Sequence, residues 1–427
     1  MFRSMVLLVG AVTVMPAVAA RGSPPQRHCS LNASAAADAV PQSSELSGSK
    51  LGRYFPGIIS QHGIHARAEA VQDEILLTAL ILSAVAGRPL RIERLRAGRP
   101  KPGLAAQHVT AVLSVAELCR AEVSGATLGS ESLSFRPTAA PRAAGYLFDV
   151  GAARESGSAG AATLVLQTVA LAALFASGAC RFYIRGGTHV PWSAPYDYLA
   201  HVWAPFLARM GVSLELGLRR FGFLPVGQGE ITGRVSGLGS EAGTHLKPME
   251  IIARGALRSV WGRAVAANLP PHIPQRMAAR ATALLSSAAP AISIEAQDVR
   301  AASAGAGLFL TAEYDYISAG FNVFAARGRS SETVSAEAAC ALSSRAALVL
   351  HLADQALLPL ALGAAPSTFT CETATRHLET NAWVIGQFGI ADVLIEEHQG
   401  GPALVWVRPK VAASAAEWRR TWKAWAA

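Results

Sequence analysis

From about residue 51 the chain settles into short apolar segments of alternating period. Glu74 to Ala86 (EILLTALILSAVA) stays apolar for more than three turns, and Gly87, with Pro89 just beyond, stops it. That pattern predicts a helix. Leu90–Arg94 predicts a short strand, Ala105–Cys119 a second helix with an apolar stripe, and Leu128–Arg136 a strand from its alternation. Leu164–Phe175 predicts a third helix, Arg181–Ile184 a strand, Asp197–Met210 a helix and Arg219–Val226 a further strand. Val334–Val349 reads mostly as a helix and Leu404–Val407 as a late strand. Helices and strands alternate in recurring units, which puts the chain in the α/β (α+β) class, with sheets covered by helices. No strict sequence repeat is visible.

The first fifty residues break this rhythm. Phe2 and Arg3 lead into an apolar run, Met5–Ala20, that ends in Ala17-Val18-Ala19. The shape is that of a secretory signal peptide with an A-x-A site. The absence of Asp or Glu before Asp38 fits an organellar transit peptide equally, and a misassigned start codon is the third option. The run is too short and interrupted to predict a membrane span. Residues 22–50, rich in Ser, Pro and Ala, read as linker.

Composition narrows the class further. A hydrophobic fraction of 51% and a charged fraction of 16% over 427 residues describe a folded chain with room for more than one domain. The net charge of +9 suits a phosphate-rich partner. The five cysteines (Cys29, Cys119, Cys180, Cys340, Cys371) are scattered, odd in number and form no C-x-x-C pair. They argue against a zinc knuckle or a disulfide framework and for a reducing compartment.

Two stretches carry candidate chemistry. His351 to Asn381 reads HLADQALLPLALGAAPSTFTCETATRHLETN. An acid–amide pair, Asp354-Gln355, precedes an apolar run, and a polar segment leads to His377 beside Arg376. Taken alone this is a buried helix, a loop and a surface histidine. A nucleophilic imidazole would want the same surroundings: a hydrogen-bonding partner and a cationic neighbour for an anionic substrate. In Arg94–Cys119, Arg96, Arg99 and Lys101 surround a glycine and Pro102-Gly103. That is either a rigid loop for phosphates or a solvated charged turn. Gln107 and His108 follow at a helix start, where backbone N–H groups favour anions.

These stretches resemble a known family. HLADQxLLPLAL followed by T-x-H-L-x-T-N is similar to the C-terminal signature of the RNA 3′-terminal phosphate cyclases. RLRAGRPKPGLAAQHVTAV resembles their R-A-x-R-x-x-P-G-L-x-x-Q-H-L-T-A-V block. TLVLQT (163–168), GGTHVPWSAPYDY (186–198) and GFLPVGQG (222–229) follow in family order. The resemblance implies repeated sheet-plus-two-helix units similar to enolpyruvyl transferases, with a smaller inserted domain. The expected layout is a leader and linker over 1–50, a first cyclase part over 51–245, an insert over 246–335 and a C-terminal cyclase part over 336–427.

The resemblance also implies roles. His377 would attack the α-phosphate of ATP and carry AMP to an RNA 3′-phosphate, which then closes to a 2′,3′-cyclic phosphate. Arg96, Arg99 and Gln107 would hold substrate or nucleotide phosphates. Gln167 and Pro195 would belong to the nucleotide pocket, Pro195 against adenine with Trp192 nearby. Asp354 and Gln355 would orient ATP or a divalent cation, expected to be magnesium, for which no ligand cluster is legible. His189 reads as a loop residue. The partner is RNA with a 3′-phosphate end, the setting nuclear, cytoplasmic or organellar, and no stable membrane association is expected.

One motif departs from the pattern. The family's N-terminal turn resembles G-E-G-G-G-Q-x-L-R, whereas this chain has Glu69-Ala70-Val71-Gln72-Asp73-Glu74-Ile75-Leu76-Leu77. Ala70 stands where a glutamate is expected, three glycines are gone and Leu77 replaces an arginine. Without glycine the backbone cannot approach a nucleotide as closely. The competing reading is therefore a weak or silent relative that serves as an RNA-processing scaffold. An enolpyruvyl-transferase-like enzyme is a third reading, disfavoured by T-R-H-L-x-T-N.

Overall fold

The computed structural model describes residues 58–60, 63–71, 73–154, 157–191, 193–238, 245–325, 335 and 346–410. All of them belong to the unit Ser49–Ala427. The expected leader and linker, Trp192 and most of the helix expected over Val334–Val349 lie outside the described residues.

Three copies of one strand–helix–strand–helix–strand–strand unit build the chain. The first holds β1 (Ile58–Ser60), β2 (Gly63–Val71), α1 (Asp73–Ala86), β3 (Leu90–Leu95), α2 (Ala106–Cys119), β4 (Glu122–Ser124) and β5 (Ser132–Arg136). Its sheet order is β1-β2-β3-β5-β4, with β2 and β3 parallel and the rest antiparallel. The second holds β6 (Gly145–Asp149), α3 (Ala162–Ala173), β7 (Cys180–Gly186), a helix α4, β8 (Leu214–Arg220) and β9 (Gly229–Val235). Helix α4 joins Tyr196–Tyr198, Leu199–Trp203 and Ala204–Arg209, its middle five residues π-helical. The sheet runs β6-β7-β9-β8 with the same pairing senses.

The third unit is interrupted. It begins with β10 (Glu250–Ile251) and then leaves for a separate sheet: β11 (Leu257–Ala267), α5 (His272–Leu285), β12 (Ile292–Val299), β13 (Gly305–Tyr314) and β14 (Ser318–Phe324). The chain returns through α6 (Leu350–Ala361), β15 (Ser367–Cys371), α7 (Arg376–Gln387), β16 (Ala391–Glu396) and β17 (Ala403–Pro409). Its order, β10-β15-β17-β16, repeats the other two. The separate sheet, β12-β11-β13-β14, does not: its first strand is internal. The segment expected as an insert, Leu246 to Ser335, thus divides, because Glu250–Ile251 pairs with Thr368–Phe369 of the C-terminal sheet.

Helices α1, α2, α3, α6 and α7 pack on one another between the sheets. Helix α1 is apolar all round because it is covered on all sides: Ile75, Leu76, Ala79, Leu80, Ile81 and Leu82 are buried, and α2, α3 and α7 touch it. Two sequence expectations fail at turns. Residues 128–131 are not strand; Gly129 adopts φ +75°, its N–H donates to the Leu104 carbonyl, and the strand begins at Ser132. The strand expected over Arg219–Val226 ends at Arg220; Pro225 and Gly227, the latter at φ +74°, turn the chain beyond it. Proline lacks the N–H a ladder needs.

Candidate active site

His377 sits in the first turn of α7, half-buried. The turn is fixed from both sides. Thr375 caps the helix: its Oγ1 accepts from the Leu378 N–H at 2.9 Å and donates to Asp354 Oδ1 at 2.5 Å. Asp354 is buried on α6, so one hydroxyl ties the start of α7 to the neighbouring helix. Asn381, one turn on and buried, accepts from Thr78 Oγ1 of α1 at 2.8 Å and donates to the Asp354 carbonyl at 3.4 Å. Thr380 Oγ1 bonds back to the Arg376 carbonyl, and Leu378 is fully buried. T-x-H-L-x-T-N therefore spells out a mount: each named residue but the histidine holds the helix in place. The positive end of the α7 dipole favours an anion beside His377. Thr375, Asn381 and Thr78 were not singled out from sequence, although two of them lie within the motif.

Gln355 follows Asp354 on α6. Its Oε1 is buried and has no hydrogen-bond partner among the described residues. Such an acceptor costs stability unless a donor reaches it, and a bound hydroxyl or amino group would supply one.

A chain of neighbours links the other candidates to this mount. The buried Tyr198 hydroxyl is held well above the ordinary phenol range by burial and by the charge of Asp354. Tyr198 lies three residues after Pro195, which is buried and precedes the first turn of α4. Ser193, just before, shares a 2.9 Å hydrogen bond with Thr163 at the start of α3. Gln167, half-buried, lies one turn further along α3. Gly160 enters the same helix and touches Gln107: a Cβ there would come within 2.9 Å of Gln107 Oε1. Gln107 stands in the first turn of α2, whose start is stabilised by the Ala105 N–H donating to His108 Nδ1 at 3.1 Å.

The basic loop expected to hold phosphates is braced from within. Arg96 Nη1 donates to the Gly103 carbonyl at 2.7 Å and to the Lys101 carbonyl at 3.3 Å. Part of its donor set thus closes its own loop. Gly103 adopts φ +75° with its Cα against Gly129, where a Cβ would lie 2.2 Å from the Gly129 oxygen; only glycine fits. Arg99 stands exposed at the tip of this braced loop.

His189 lies in the loop after β7, as expected of a loop residue, and it is a structural one. It is fully buried, with Nδ1 2.8 Å from Thr188 Oγ1 and Nε2 2.6 Å from Asp197 Oδ2. The ionised Asp197 can only accept, so the one N–H of the neutral imidazole is on Nε2 and Nδ1 accepts from the Thr188 hydroxyl, which itself accepts from the Gly222 N–H. Arg263 of β11 grips the same carboxylate through Nε at 2.5 Å and Nη2 at 2.9 Å. Burial holds the imidazole below its ordinary pKa against the pull of Asp197. Burial alone would push the Asp197 carboxyl up, but the bonds from His189 and Arg263 outweigh it and keep it well below the usual range. The network fastens the inserted sheet to the second unit.

Among the described residues no group of three or more His, Cys, Asp or Glu side chains converges on a metal position. No helix among them is long and apolar enough to cross a membrane.

The chain matches the family model for RNA 3′-terminal phosphate cyclase over residues 73–395. A Methylococcus capsulatus protein of that name is 52% identical over 336 residues, covering 78% of this chain and 92% of its own. A Gloeothece citriformis protein of the same name is 42% identical, covering 79% and 95%. One from Methanopyrus kandleri is 38% identical, covering 79% and 96%. With matches of this extent, the chain belongs to the RNA 3′-terminal phosphate cyclase family.

Proposed function

We propose that this chain converts RNA 3′-terminal phosphates to 2′,3′-cyclic phosphates at the expense of ATP, through an AMP adduct on His377. The relatives named for that activity supply the reaction class. The observation that carries the residue assignment is the mount of α7: a half-buried histidine in a first turn pinned by Thr375 to Asp354. A nucleophile needs such fixed aim, since placement is a large part of its rate.

An imidazole nitrogen of His377 attacks the α-phosphorus, the bond to pyrophosphate breaks, and AMP remains on the ring. The RNA 3′-phosphate oxygen takes the adenylyl group and frees the histidine. The adjacent 2′-hydroxyl then attacks the activated phosphate, releasing AMP and closing the ring. One difficult displacement becomes three easier ones. Gln355 Oε1 would accept from the nucleotide, and Pro195 and Gln167 would border it. Arg99, with Gln107 at the α2 N-terminus, would receive phosphate charge. A divalent cation, expected to be magnesium, would be bound through the triphosphate and would supply charge screening there.

A second reading, a weak or silent relative, is favoured by one observation. The family match begins at Asp73, just past the altered turn, and Leu77, where an arginine is expected, packs against the apolar core. The same experiment separates the two. Incubation with α-labelled ATP and magnesium should leave an acid-labile, alkali-stable label on the protein. His377→Ala should remove it with the fold intact by circular dichroism. No label on the parent chain would sink the enzymatic reading, and label surviving the substitution would move the nucleophile elsewhere.

A further inference from the structure

The three units share one topology, so each sheet turns one face to the helices and one away from them. Those outer faces act as internal controls for one another. The first carries Arg91, Glu93, Ser132, Ser134, Glu122 and Arg136, of which Arg91 pairs with Glu93 at 3.1 Å and Arg136 with Glu122 at 2.5 Å, and the register sets His65 and Arg67 beside Arg91 and Glu93. The third carries Trp406, Leu404 and Leu394, but among acids: Glu250, Glu396 and Asp392, the last held by Arg408 and Lys410. The third face thus sets its one tryptophan among three carboxylates and two cations, and the first offers no tyrosine, phenylalanine or tryptophan among its described positions.

The second face is different. Cys180, Phe182 and Ile184 point inward, so Arg181, Tyr183 and Arg185 point out. The pairing register sets three rows across the sheet. Arg181 lies beside Arg234, which pairs with Glu215 at 3.3 Å, and Tyr183 lies between Leu147 and Thr232. Arg185 lies between Asp149 and Glu230, with Arg220 beyond. Leu147 is 66% exposed, the most exposed large apolar residue among those described. The Arg185 guanidinium lies over the Tyr183 ring at 5.6 Å. Arg181 has no carboxylate partner among the described residues. Arg185 and Arg220 share one carboxylate, Glu230, at 3.5 Å each, and both remain half-exposed. A guanidinium has five donors, so a long pair to half a carboxylate leaves donors facing solvent.

We propose that this face binds the body of a single-stranded RNA whose 3′ end lies in the active site. The proposal rests on the cyclase reading for the position of that end, and on charge and stacking for the rest. Aromatic side chains on an open sheet, edged by arginines, take unstacked bases on the ring and phosphates on the guanidiniums. Three rows span roughly 13 Å, room for about two or three nucleotides. The face also leads toward the right place. Its last row opens into a cleft of about 540 Å³ bordered by Gly157, Ser158 and Gly186. Gly186 packs against the Gly160 carbonyl, and Gly160 touches Gln107.

The test uses the full chain and two substrates: a 5′-fluorescein 12-nucleotide RNA with a 3′-phosphate, and a trinucleotide with the same end. Tyr183→Ala should weaken 12-mer binding by anisotropy about tenfold, with Tyr183→Phe restoring it. The Arg181→Ala/Arg234→Ala double variant should also weaken it. The slope of log affinity against log salt should fall by about 0.7 for each phosphate that the variant no longer neutralises. Labelling by ATP without RNA, trinucleotide turnover and thermal midpoint should stay at parent values, because these side chains lie on the outer face. Unchanged 12-mer affinity and salt slope in all variants overturns the proposal, as does a parent chain that does not bind the 12-mer. Concentration-dependent dimers that the variants abolish, with RNA binding intact, would assign the face to a second copy instead. A parent that binds the 12-mer through this face yet never takes label from ATP would leave the platform standing and remove the cyclase reading.

Discussion

His189 and His377 stand near the starts of corresponding helices, α4 and α7, and they have opposite fates. His189 is sealed off, its Nδ1 taken by Thr188 and its Nε2 by a carboxylate that Arg263 also grips. His377 is half-buried, and the nearby carboxylate, Asp354, is engaged by Thr375, the cap of the histidine's own helix. In the second unit the aspartate binds the histidine and an arginine of another sheet; in the third, Asp354 binds the cap of the helix that carries His377. Under the proposed reaction the first imidazole holds the fold and the second does the chemistry.

The comparison can be broken in several ways, and replacing His377 has the largest effect, loss of all label. Asp197→Ala comes next. It leaves the partly buried Arg263 without its carboxylate though still bonded to Gln297, so the cost falls below the roughly 3–5 kcal/mol of breaking a fully buried pair from one side. Urea denaturation should record that loss while labelling per folded molecule persists. Arg99→Ala should lower turnover on 3′-phosphate RNA at least tenfold, since a charge-assisted bond is worth roughly 1.5–3 kcal/mol. Unchanged turnover would make the loop a solvated turn. Thr375→Ala removes the cap and the bond to Asp354. The cap alone is worth about 1 kcal/mol, and the rate of adenylation should fall more than the thermal midpoint suggests, because aim is lost as well as stability.

The smallest effect is a pH slope. His189 is held neutral and Asp197 ionised, so the unfolded chain binds more protons than the folded one. Stability contributed by this network is present above the unfolded histidine pKa and is lost as pH falls below it. Denaturation midpoints should drop from pH 7 to pH 5, and His189→Gln should flatten part of that slope. A parent whose midpoint is level over this range would mean that the imidazole takes up its proton without leaving the network.

Legibility from sequence followed length scale. Helices with long apolar runs, α1 through α3, are legible to within a few residues, because burial on every side writes itself into consecutive positions. The threefold repetition is not. Equivalent helices carry EILLTALILSAVA, ATLVLQTVALAA and LHLADQALLPLA, which share apolar character and almost no residues in common. Strand limits fail where backbone conformation, not hydropathy, ends the strand, at Gly129 and at Leu224-Pro225. The family motifs mark the place of His377, Asp354, Gln355 and Gln107. They do not say that Arg96 braces its own loop, or that Asp354 holds a helix cap, since a motif records which residues are needed and is silent on what each one touches. Nor does hydropathy mark the outer face of the second sheet, where Tyr183 and Leu147 keep the alternation expected of a strand.

The excursion between β10 and α6 bears on how the chain reaches its fold. Met249 and Ser367, joined by a hydrogen bond, are separated by 118 residues. The parallel pair of the second unit closes over roughly a third of that distance, and tripling a flexible loop adds about 1 kcal/mol of closure entropy. Non-local pairing of this kind slows folding more than it weakens the product. A sheet that forms within the excursion draws much of that length into a compact body, so the third unit closes a shorter effective loop. Closure of the third unit, and with it the seating of the helix that carries His377, is thereby coupled to the folding of the excursion.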